Sequence, residues 1–271
     1  MQLSYEPKKI YDVTKSQEAF KRALKVVPAG IYGHLGPSEG CMIPVSSYPL
    51  FMSKAKGAYF WDLDGNRFID YMCAYGPNFL GYNDPDVDAA ALEQMKKGNC
   101  VTLASDLLID FAEEMVNTIN MADWAFFAKN GGDATSFAVM IARAYTNRKK
   151  VVLVSGYYHG VAPWMQKLGY AGITEEDIAN NLYIDWNSPD QFEKLIKKYP
   201  GQIAALIATP YYHPTFVDNQ LPPEGYWQKM RKLCDDNGII LIFDDVRAGF
   251  RIDIKGSDYH YGIKSDISCF C

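Results

Sequence analysis

Apolar runs alternate with amphipathic segments between residues 123 and 243. The segments between the runs, such as TSFAVMIARAY and GYWQKMRKLCDDN, have the spacing of helices. The runs themselves have the length and composition of strands: DWAFFA, KVVLVS, NLYIDW, QIAALIAT and GIILIF. Strands that are apolar on both faces are typical of a parallel sheet that helices cover on both sides. The pattern therefore predicts an α/β fold with a mostly parallel sheet.

The first part of the chain follows a different pattern. KSQEAFKRALKVV predicts a helix, and the Gly/Pro-rich stretch VPAGIYGHLGPSEGCMIPVSSYP predicts an irregular N-terminal arm. In GAYFWDLDGNRFIDYM, two alternating aromatic-rich runs flank Asp64-Gly65-Asn66, whose residues tolerate positive φ, so we expect a β-hairpin there. Two helical patterns follow between residues 85 and 119. We therefore divide the chain into an arm and hairpin segment, residues 1–75, and a large domain, residues 76–271.

The charge balance excludes some classes of partner. The 271 residues carry a formal net charge of −5, and the lysines are scattered, so no basic surface for nucleic acid is indicated. No apolar stretch approaches the roughly 20 residues that cross a bilayer, and the opening MQLSYEPKKI lacks the features of a signal peptide. We expect a cytoplasmic protein that binds neither nucleic acid nor a membrane.

The cysteines and histidines give no sign of a metal site. The six cysteines are scattered without a CxxC pair, which favours free thiols over disulfides or a thiolate site. The four histidines include no HExxH or other ligand spacing. We expect no metal.

Ligands of open α/β sheets bind at the carboxyl ends of the strands, which directs attention to three loops. The first, NGGD, contains Asn130, Gly131 and Gly132 and links a strand to a helix, where backbone N–H groups can approach a phosphate. An ordinary turn with a helix cap, in which Asp133 complements the helix dipole, explains the same residues. The second, GYYHG, could stack a flat ring on a planar ligand or could be a packed surface loop.

The third loop begins where the apolar strand GIILIF runs into Asp244 and Asp245. An unpaired carboxylate at the end of a buried strand is costly, so Asp244 needs a positively charged partner. The protonated ring nitrogen of pyridoxal phosphate is one such partner, because a carboxylate there keeps the cofactor an effective electron sink. A structural ion pair with Arg251 is the alternative.

Together these segments resemble the class III aminotransferases, which are fold-type I pyridoxal-phosphate enzymes, and most closely their glutamate-1-semialdehyde aminomutase-like branch. The resemblance covers nearly the whole chain through VPAGIYG, FWDLDGNRFIDYMCAYGPNFLGYNDPDV, NGGDATSFAVMIARAY, YYHG and LIFDDVRAGFR. It implies an aminotransferase that uses pyridoxal 5′-phosphate to move an amino group between an amine or amino acid and a keto acid. An aminomutase or an epimerase on the same scaffold is the alternative, and the resemblance also implies a homodimer.

Site roles follow from the resemblance, residue by residue. It implies that Asn130, Gly131 and Gly132 cradle the cofactor phosphate, where relatives often have Ser-Gly-Thr. Tyr158 is similar to the aromatic residue that stacks on the pyridine ring, with His159 beside it.

The remaining cofactor contacts come from the acid loop. Asp244 matches the acid that pairs with the ring nitrogen, and Val246 matches the residue on the opposite face of the ring. Asp245 stands where relatives usually carry Glu. Asp244 and Tyr158 are thus the predicted catalytic residues.

The chain also departs from the family pattern. The resemblance implies that the Schiff-base lysine directly follows Cys271 and that a small C-terminal domain is missing from this chain. The carboxylate-binding arginine of the aminomutases has no counterpart near PAGIYGHLG, which argues against the semialdehyde substrate. Tyr32, His34 and Tyr75 are candidate substrate residues, although core or interface packing explains them equally well.

Two other classes of protein also fit some of these residues. A nucleotide-binding α/β protein could use NGGD for a phosphate, but the GxGxxG fingerprint and the Walker A motif are both missing. A non-catalytic relative or fragment of the family is the second.

Overall fold

The computed structural model describes residues 11–31, 50–214 and 218–271. The chain divides into two compact units, Met1–Thr102 and Leu103–Cys271. The domain boundary that the sequence places after residue 75 stays a prediction. Most of the predicted irregular arm, with Tyr32 and His34, lies outside the described residues.

The described residues of the first unit form a small antiparallel sheet and two longer helices. Its strands are β1 (Met52–Lys56), β2 (Tyr59–Asp62) and β3 (Arg67–Ile69), paired in that order. Helix α1 (Thr14–Ala23) precedes the sheet and helix α2 (Pro85–Lys97) follows it, with short 3-10 turns at Pro28–Gly30 and Cys73–Tyr75.

The predicted β-hairpin is confirmed. Strands β2 and β3 pair through Trp61 and Arg67, and Gly65 in the connecting turn has a φ of 90°. The buried carboxylate of Asp62 closes the turn by accepting from the backbone N–H groups of Asp64 at 3.0 Å and Asn66 at 2.8 Å. A carboxylate that accepts several backbone donors is the usual way in which aspartate stabilises a tight turn.

The second unit is a parallel sheet with helices on both faces, as the sequence predicts. Its strands run in the order β5-β4-β6-β7-β8, and every neighbouring pair is parallel. The elements are α3 (Leu107–Thr118), α4 (Gly131–Thr146), β4 (Lys150–Val154), α5 (Glu175–Ile178), β5 (Asn181–Ile184), α6 (Pro189–Lys198), β6 (Ile203–Ala208), α7 (Tyr226–Asn237), β7 (Ile240–Asp244), α8 (Ser257–His260) and β8 (Ile267–Cys269).

The two faces of this sheet bury different residues of the same strands. On one face, Val152 of β4 and Phe243 of β7 pack with Trp227 of α7. On the other face, Val151 of β4 packs with Val139 of α4. Because successive side chains of a strand point to opposite faces, a strand covered on both sides must be apolar throughout, which is the pattern read from the sequence.

One predicted strand is wrong. DWAFFA, residues 123–128, has no strand structure, and the side chains of Trp124 and Phe126 are 67% and 56% exposed. Aromatic residues favour strands only where a neighbouring strand supplies hydrogen bonds and packing, and in the described part of the chain this segment pairs with none. The short strand β8, within SDISCFC, was not predicted. No helix among the described residues is long and apolar enough to cross a membrane.

Candidate active site

The three loops singled out in the sequence meet at the carboxyl edge of the parallel sheet. A Cβ added to Gly131 would lie 3.0 Å from a Cγ atom of Val246, and one added to Gly160 would lie 2.8 Å from the Cα of Gly132. The distance from Gly160 to the backbone of Gly132 is too short for any residue with a Cβ, and the Val246 side chain would have to shift to admit a Cβ at Gly131. The glycine turn (Asn130–Gly132) therefore contacts two other segments. These are the acid loop, which begins at Asp244 at the end of β7, and the aromatic loop GYYHG, which follows β4.

A buried hydroxyl also joins the glycine turn to the aromatic loop. Thr135, in the first turns of α4, lies with its Oγ1 2.7 Å from the carbonyl oxygen of His159 and 3.1 Å from that of Gly132. Thr135 is fully buried, so these contacts are shielded from water and fix the position of the loop relative to the helix.

Asn130 is the N-cap of α4. Its Oδ1 accepts from the N–H of Asp133 at 2.9 Å, and its Nδ2 donates to the Asp133 carboxylate at 2.9 Å. The helix-cap interpretation of NGGD is thus correct as far as it goes. However, the cap satisfies Asp133, while the N–H groups of Gly131 and Gly132 have no acceptor within the helix. The same turn can therefore cap its helix and bind an anion.

The carboxylate of Asp244 pairs with His159. Asp244 ends β7 and is 5% exposed, and its Oδ2 lies 2.6 Å from Nδ1 of the buried His159. Its Oδ1 accepts from the N–H of Val246 at 3.2 Å. In the described part of the chain these are its hydrogen-bond partners, whereas the guanidinium of Arg251 donates to the carbonyl of Gly249. A carboxylate has about four lone-pair sites, so Asp244 can still accept a further charged donor.

His159 also has a second ring nitrogen, Nε2, which does not contact Asp244. Its Nε2 is buried and has no hydrogen-bond partner among the described residues. A buried polar atom without a partner costs free energy, whether it donates or accepts. A bound molecule or water at the site can supply that partner.

Asp245 has a structural role different from that of Asp244. Its side chain is 1% exposed and accepts from the N–H of Ser257 at 3.0 Å and from the Ser257 hydroxyl at 2.5 Å. Burial raises the pKa of Asp245 to about 6, against the lowering effect of the Ser257 donors. Asp245 therefore ties the loop after β7 to the start of α8.

Further side chains line this edge of the sheet that the sequence did not single out. His213 follows β6, and its ring stacks on that of Tyr157 with centroids 5.9 Å apart. Its Nδ1 lies 3.3 Å from Nη1 of Arg247, and burial together with the Arg247 charge lowers the pKa of His213 to about 4. The sequence could have pointed to His213 and Arg247 only through their positions, because each closely follows the end of a strand. Tyr158, between Tyr157 and His159, is 56% exposed.

All three candidate substrate residues belong to the stretch Met1–Thr102, not to the unit that contains this cluster. Tyr32 and His34 lie outside the described residues. Tyr75 is in the first unit, in a turn where Cys73, Ala74 and Tyr75 all have positive φ, which non-glycine residues adopt only at a cost. Its role at a substrate pocket stays a prediction.

Comparison with known families gives one clear result. The family described as Aminotransferase class-III matches residues 42–271. The chain is 41% identical over 257 residues to the aminopentol aminotransferase of Sphingopyxis macrogoltabida, a match that covers 95% of this chain and 60% of that protein. It is 30% identical to a glutamate-1-semialdehyde 2,1-aminomutase of Lachnoclostridium phytofermentans, with 95% of this chain and 62% of that protein covered.

The solved structures agree with the sequence match. The PLP internal aldimine form of the Sphingopyxis sp. MTA144 FumI protein superimposes with a TM-score of 0.90 at 41% identity, covering 95% of this chain and 61% of that one. The chain therefore spans about 60% of the length of the relatives that it matches.

Proposed function

The chain belongs to the class III aminotransferases, and from this membership we propose that the whole protein moves an amino group between an amine or amino acid and a keto acid. The observation that carries the proposal is the buried Asp244–His159 pair, at 2.6 Å, beside a turn of close-packed glycines. A buried acid beside an anion-binding turn is what a cofactor with a basic ring nitrogen and a phosphate requires.

The cofactor is pyridoxal 5′-phosphate, and the residues present fit it in two ways. Gly131 and Gly132 leave room that a Cβ would fill. They lie at the N-terminus of α4, where backbone N–H groups and the helix dipole favour a phosphate. Asp244 has accepting capacity to spare, and the unpartnered Nε2 of His159 marks a polar surface nearby that lacks a contact.

In the proposed mechanism, Asp244 would pair with the ring nitrogen of the bound cofactor and keep that nitrogen protonated. His159 orients that carboxylate through Nδ1, and the N–H of Val246 fixes its other oxygen. When bound, pyridoxal phosphate serves as an electron sink that stabilises negative charge on the substrate carbon. Asp244 acts by electrostatic stabilisation and transfers no proton itself.

The remaining proposed roles concern binding. Asn130, Gly131 and Gly132 would hold the phosphate, and Tyr158 would stack on the ring with Val246 on the other side. The contact between Val246 and Gly131 supports this placement, because it brings the ring-packing residue next to the phosphate turn. Tyr32, His34 and Tyr75 remain candidates for substrate contact.

Product analysis tests the reaction class. The whole protein, loaded with cofactor, is incubated with a panel of α-, β- and ω-amines and with pyruvate or 2-oxoglutarate. We expect an amino acid formed from the keto acid together with a carbonyl product from the amine. An isomer of the substrate formed without a keto acid would instead identify an aminomutase, and an inverted stereocentre would identify an epimerase. All three reactions would use the same site residues, so the identity of the products is what distinguishes them.

We also propose that the whole protein is a cytoplasmic homodimer. Helix α4 exposes Phe137 at 41%, Met140 at 60% and Tyr145 at 82%, an apolar surface of the kind that subunit interfaces cover. The buried free thiols of Cys234 and Cys269 are consistent with a reducing compartment.

Light scattering on a Met140→Glu variant tests the dimer, because a charge there would have to be buried in the interface. We expect a shift towards monomer. A wild-type monomer, or a variant that dimerises as strongly as the wild type, would contradict this interface.

A further inference from the structure

Arg247 is a cation at the carboxyl edge of the sheet, and the one hydrogen-bond partner that it has among the described residues is neutral. It is exposed, and its Nη1 lies 3.3 Å from Nδ1 of His213. Burial, and the charge of Arg247 itself, lower the pKa of His213 to about 4, so the imidazole is uncharged at neutral pH and accepts from the guanidinium. Among the described residues, no carboxylate lies within ion-pair distance of Arg247. Its positive charge is therefore not compensated there.

Two other arginines of this unit have evident structural tasks. Arg148 donates to the carbonyl oxygens of Ile203, Asn237 and Gly238 and so joins three segments. Arg231 pairs with two carboxylates, those of Asp235 and Asp266, both at 2.7 Å. Arg247 differs from both because most of its guanidinium donors have no partner within the part of the chain that the structure describes.

The position of Arg247 is fixed relative to the proposed cofactor site. It directly follows Val246, whose side chain touches Gly131 of the phosphate turn and whose N–H contacts Asp244. Its partner His213 stacks on Tyr157, in the same loop as Tyr158 and His159. The Arg247–His213 pair thus links the loops that follow β4, β6 and β7, and the partly buried imidazole limits where the guanidinium can lie.

We propose that Arg247, positioned by His213, binds the carboxylate of the keto acid substrate. The inference rests on the proposed aminotransferase function and names the residue that would recognise one of its two substrates. A guanidinium binds a carboxylate through two parallel hydrogen bonds, which gives both affinity and orientation. Every keto acid carries a carboxylate, whereas an amine donor need not, so this contact would separate the two substrates.

The test compares the two half-reactions in the whole, cofactor-loaded protein. One uses a primary amine without a carboxylate as donor, and the other uses pyruvate or 2-oxoglutarate as acceptor. The variants are Arg247→Met, Arg247→Lys and His213→Phe, and the last keeps a ring to stack on Tyr157 while removing the acceptor. Lys197→Met is the charge control, because Lys197 is exposed in the last turn of α6, which leads to the opposite edge of the sheet.

A separate measurement reports binding without turnover. Calorimetry follows propionate and glutarate, the carbonyl-free analogues of pyruvate and 2-oxoglutarate, as they bind to the wild type and to each variant. Charge-assisted hydrogen bonds of this kind contribute enough that their loss corresponds to about 10- to 100-fold in affinity. A carboxylate-bearing donor in place of the simple amine shows whether the same residue also binds the amino acid substrate.

For Arg247→Met we expect the ratio of the keto acid KM to the amine KM to rise about 10- to 100-fold, and carboxylate binding to weaken similarly. Arg247→Lys should weaken carboxylate binding less than Arg247→Met, because lysine keeps the positive charge but cannot form the two parallel hydrogen bonds of a guanidinium. His213→Phe should raise the keto acid KM while changing kcat less, which a general loss of structure would not do.

Two results would overturn the proposal: unchanged keto acid KM and glutarate binding in Arg247→Met, or equal losses in both half-reactions. A wild type that transaminates no amine would refute the proposed function instead, and the binding measurement would still decide the role of Arg247.

Discussion

Gly160→Ala is the sharpest test of how closely the loops of this site are packed. Gly160 has a φ of 133°, a conformation that residues with a Cβ rarely adopt, and forcing alanine into it costs about 1–3 kcal/mol. The new Cβ would also lie 2.6 Å from the sulfur of Met165 and 2.8 Å from the Cα of Gly132. Overpacking of a close contact adds about 1–3 kcal/mol, so the expected loss of unfolding free energy is about 2–6 kcal/mol.

Gly169→Ala is the matched control, because Gly169 also has a positive φ, 98°, but has no atom within 4 Å of the added Cβ. Urea unfolding of both variants therefore separates the backbone cost from the packing cost. Gly160→Ala should be the less stable by about 1–3 kcal/mol, and cofactor titration should show weaker binding in Gly160→Ala alone, since the clash displaces Gly132. Equal stability and equal cofactor affinity in the two variants would refute the close approach of the two loops.

Three further predictions concern the same loops. Asp244→Asn should keep the cofactor but lose activity by about 100- to 1000-fold, the usual effect of removing one preorganised electrostatic contact, and a variant that binds cofactor and turns over near the wild-type rate would contradict the role. Gly131→Val should weaken cofactor binding about tenfold through its contact with Val246, measured by equilibrium titration, and unchanged affinity would favour an ordinary turn. Burial raises the pKa of Asp245 from 3.8 to about 6, so the folded state binds the proton more tightly and stability falls as the pH rises through this range. This loss of unfolding free energy is about 3 kcal/mol, and Asp245→Asn should abolish it. If urea unfolding gives parallel pH profiles for the variant and the wild type, the raised pKa of Asp245 is refuted.

The sequence predicts the architecture well because the sheet is covered on both faces. Strand β6 (Ile203–Ala208) has the sequence IAALIA and is buried at every position, which is possible only for a strand covered on both faces. DWAFFA was predicted wrongly because strand propensity is local while a strand needs a neighbour. The opposite error occurred at β8, whose three residues, Ile267–Cys269, are too few and too mixed to give a periodic signal.

The meeting of the three loops could also be predicted, because parallel strands bring their carboxyl ends to one edge. Which side chains touch there could not. The pairing of Asp244 with His159 depends on how the aromatic loop folds back across Gly132, and the sequence offered Arg251 as the alternative partner. The contact between His213 and Arg247 joins residues from loops after different strands, so no spacing in the sequence reveals it.

The strand order has a consequence for how the protein is made. Strand β4 lies between β5 and β6, and β7 pairs with the other edge of β6. Each of the strands β4, β6 and β7 therefore pairs with at least one strand that is synthesised after it. Non-local pairings of this kind slow folding and leave unpaired edges exposed during synthesis. The glycine turn and the aromatic loop emerge long before Asp244, which ends β7. A nascent chain therefore cannot complete the acid pair with His159, or a cofactor site that depends on it, until β7 has left the exit tunnel.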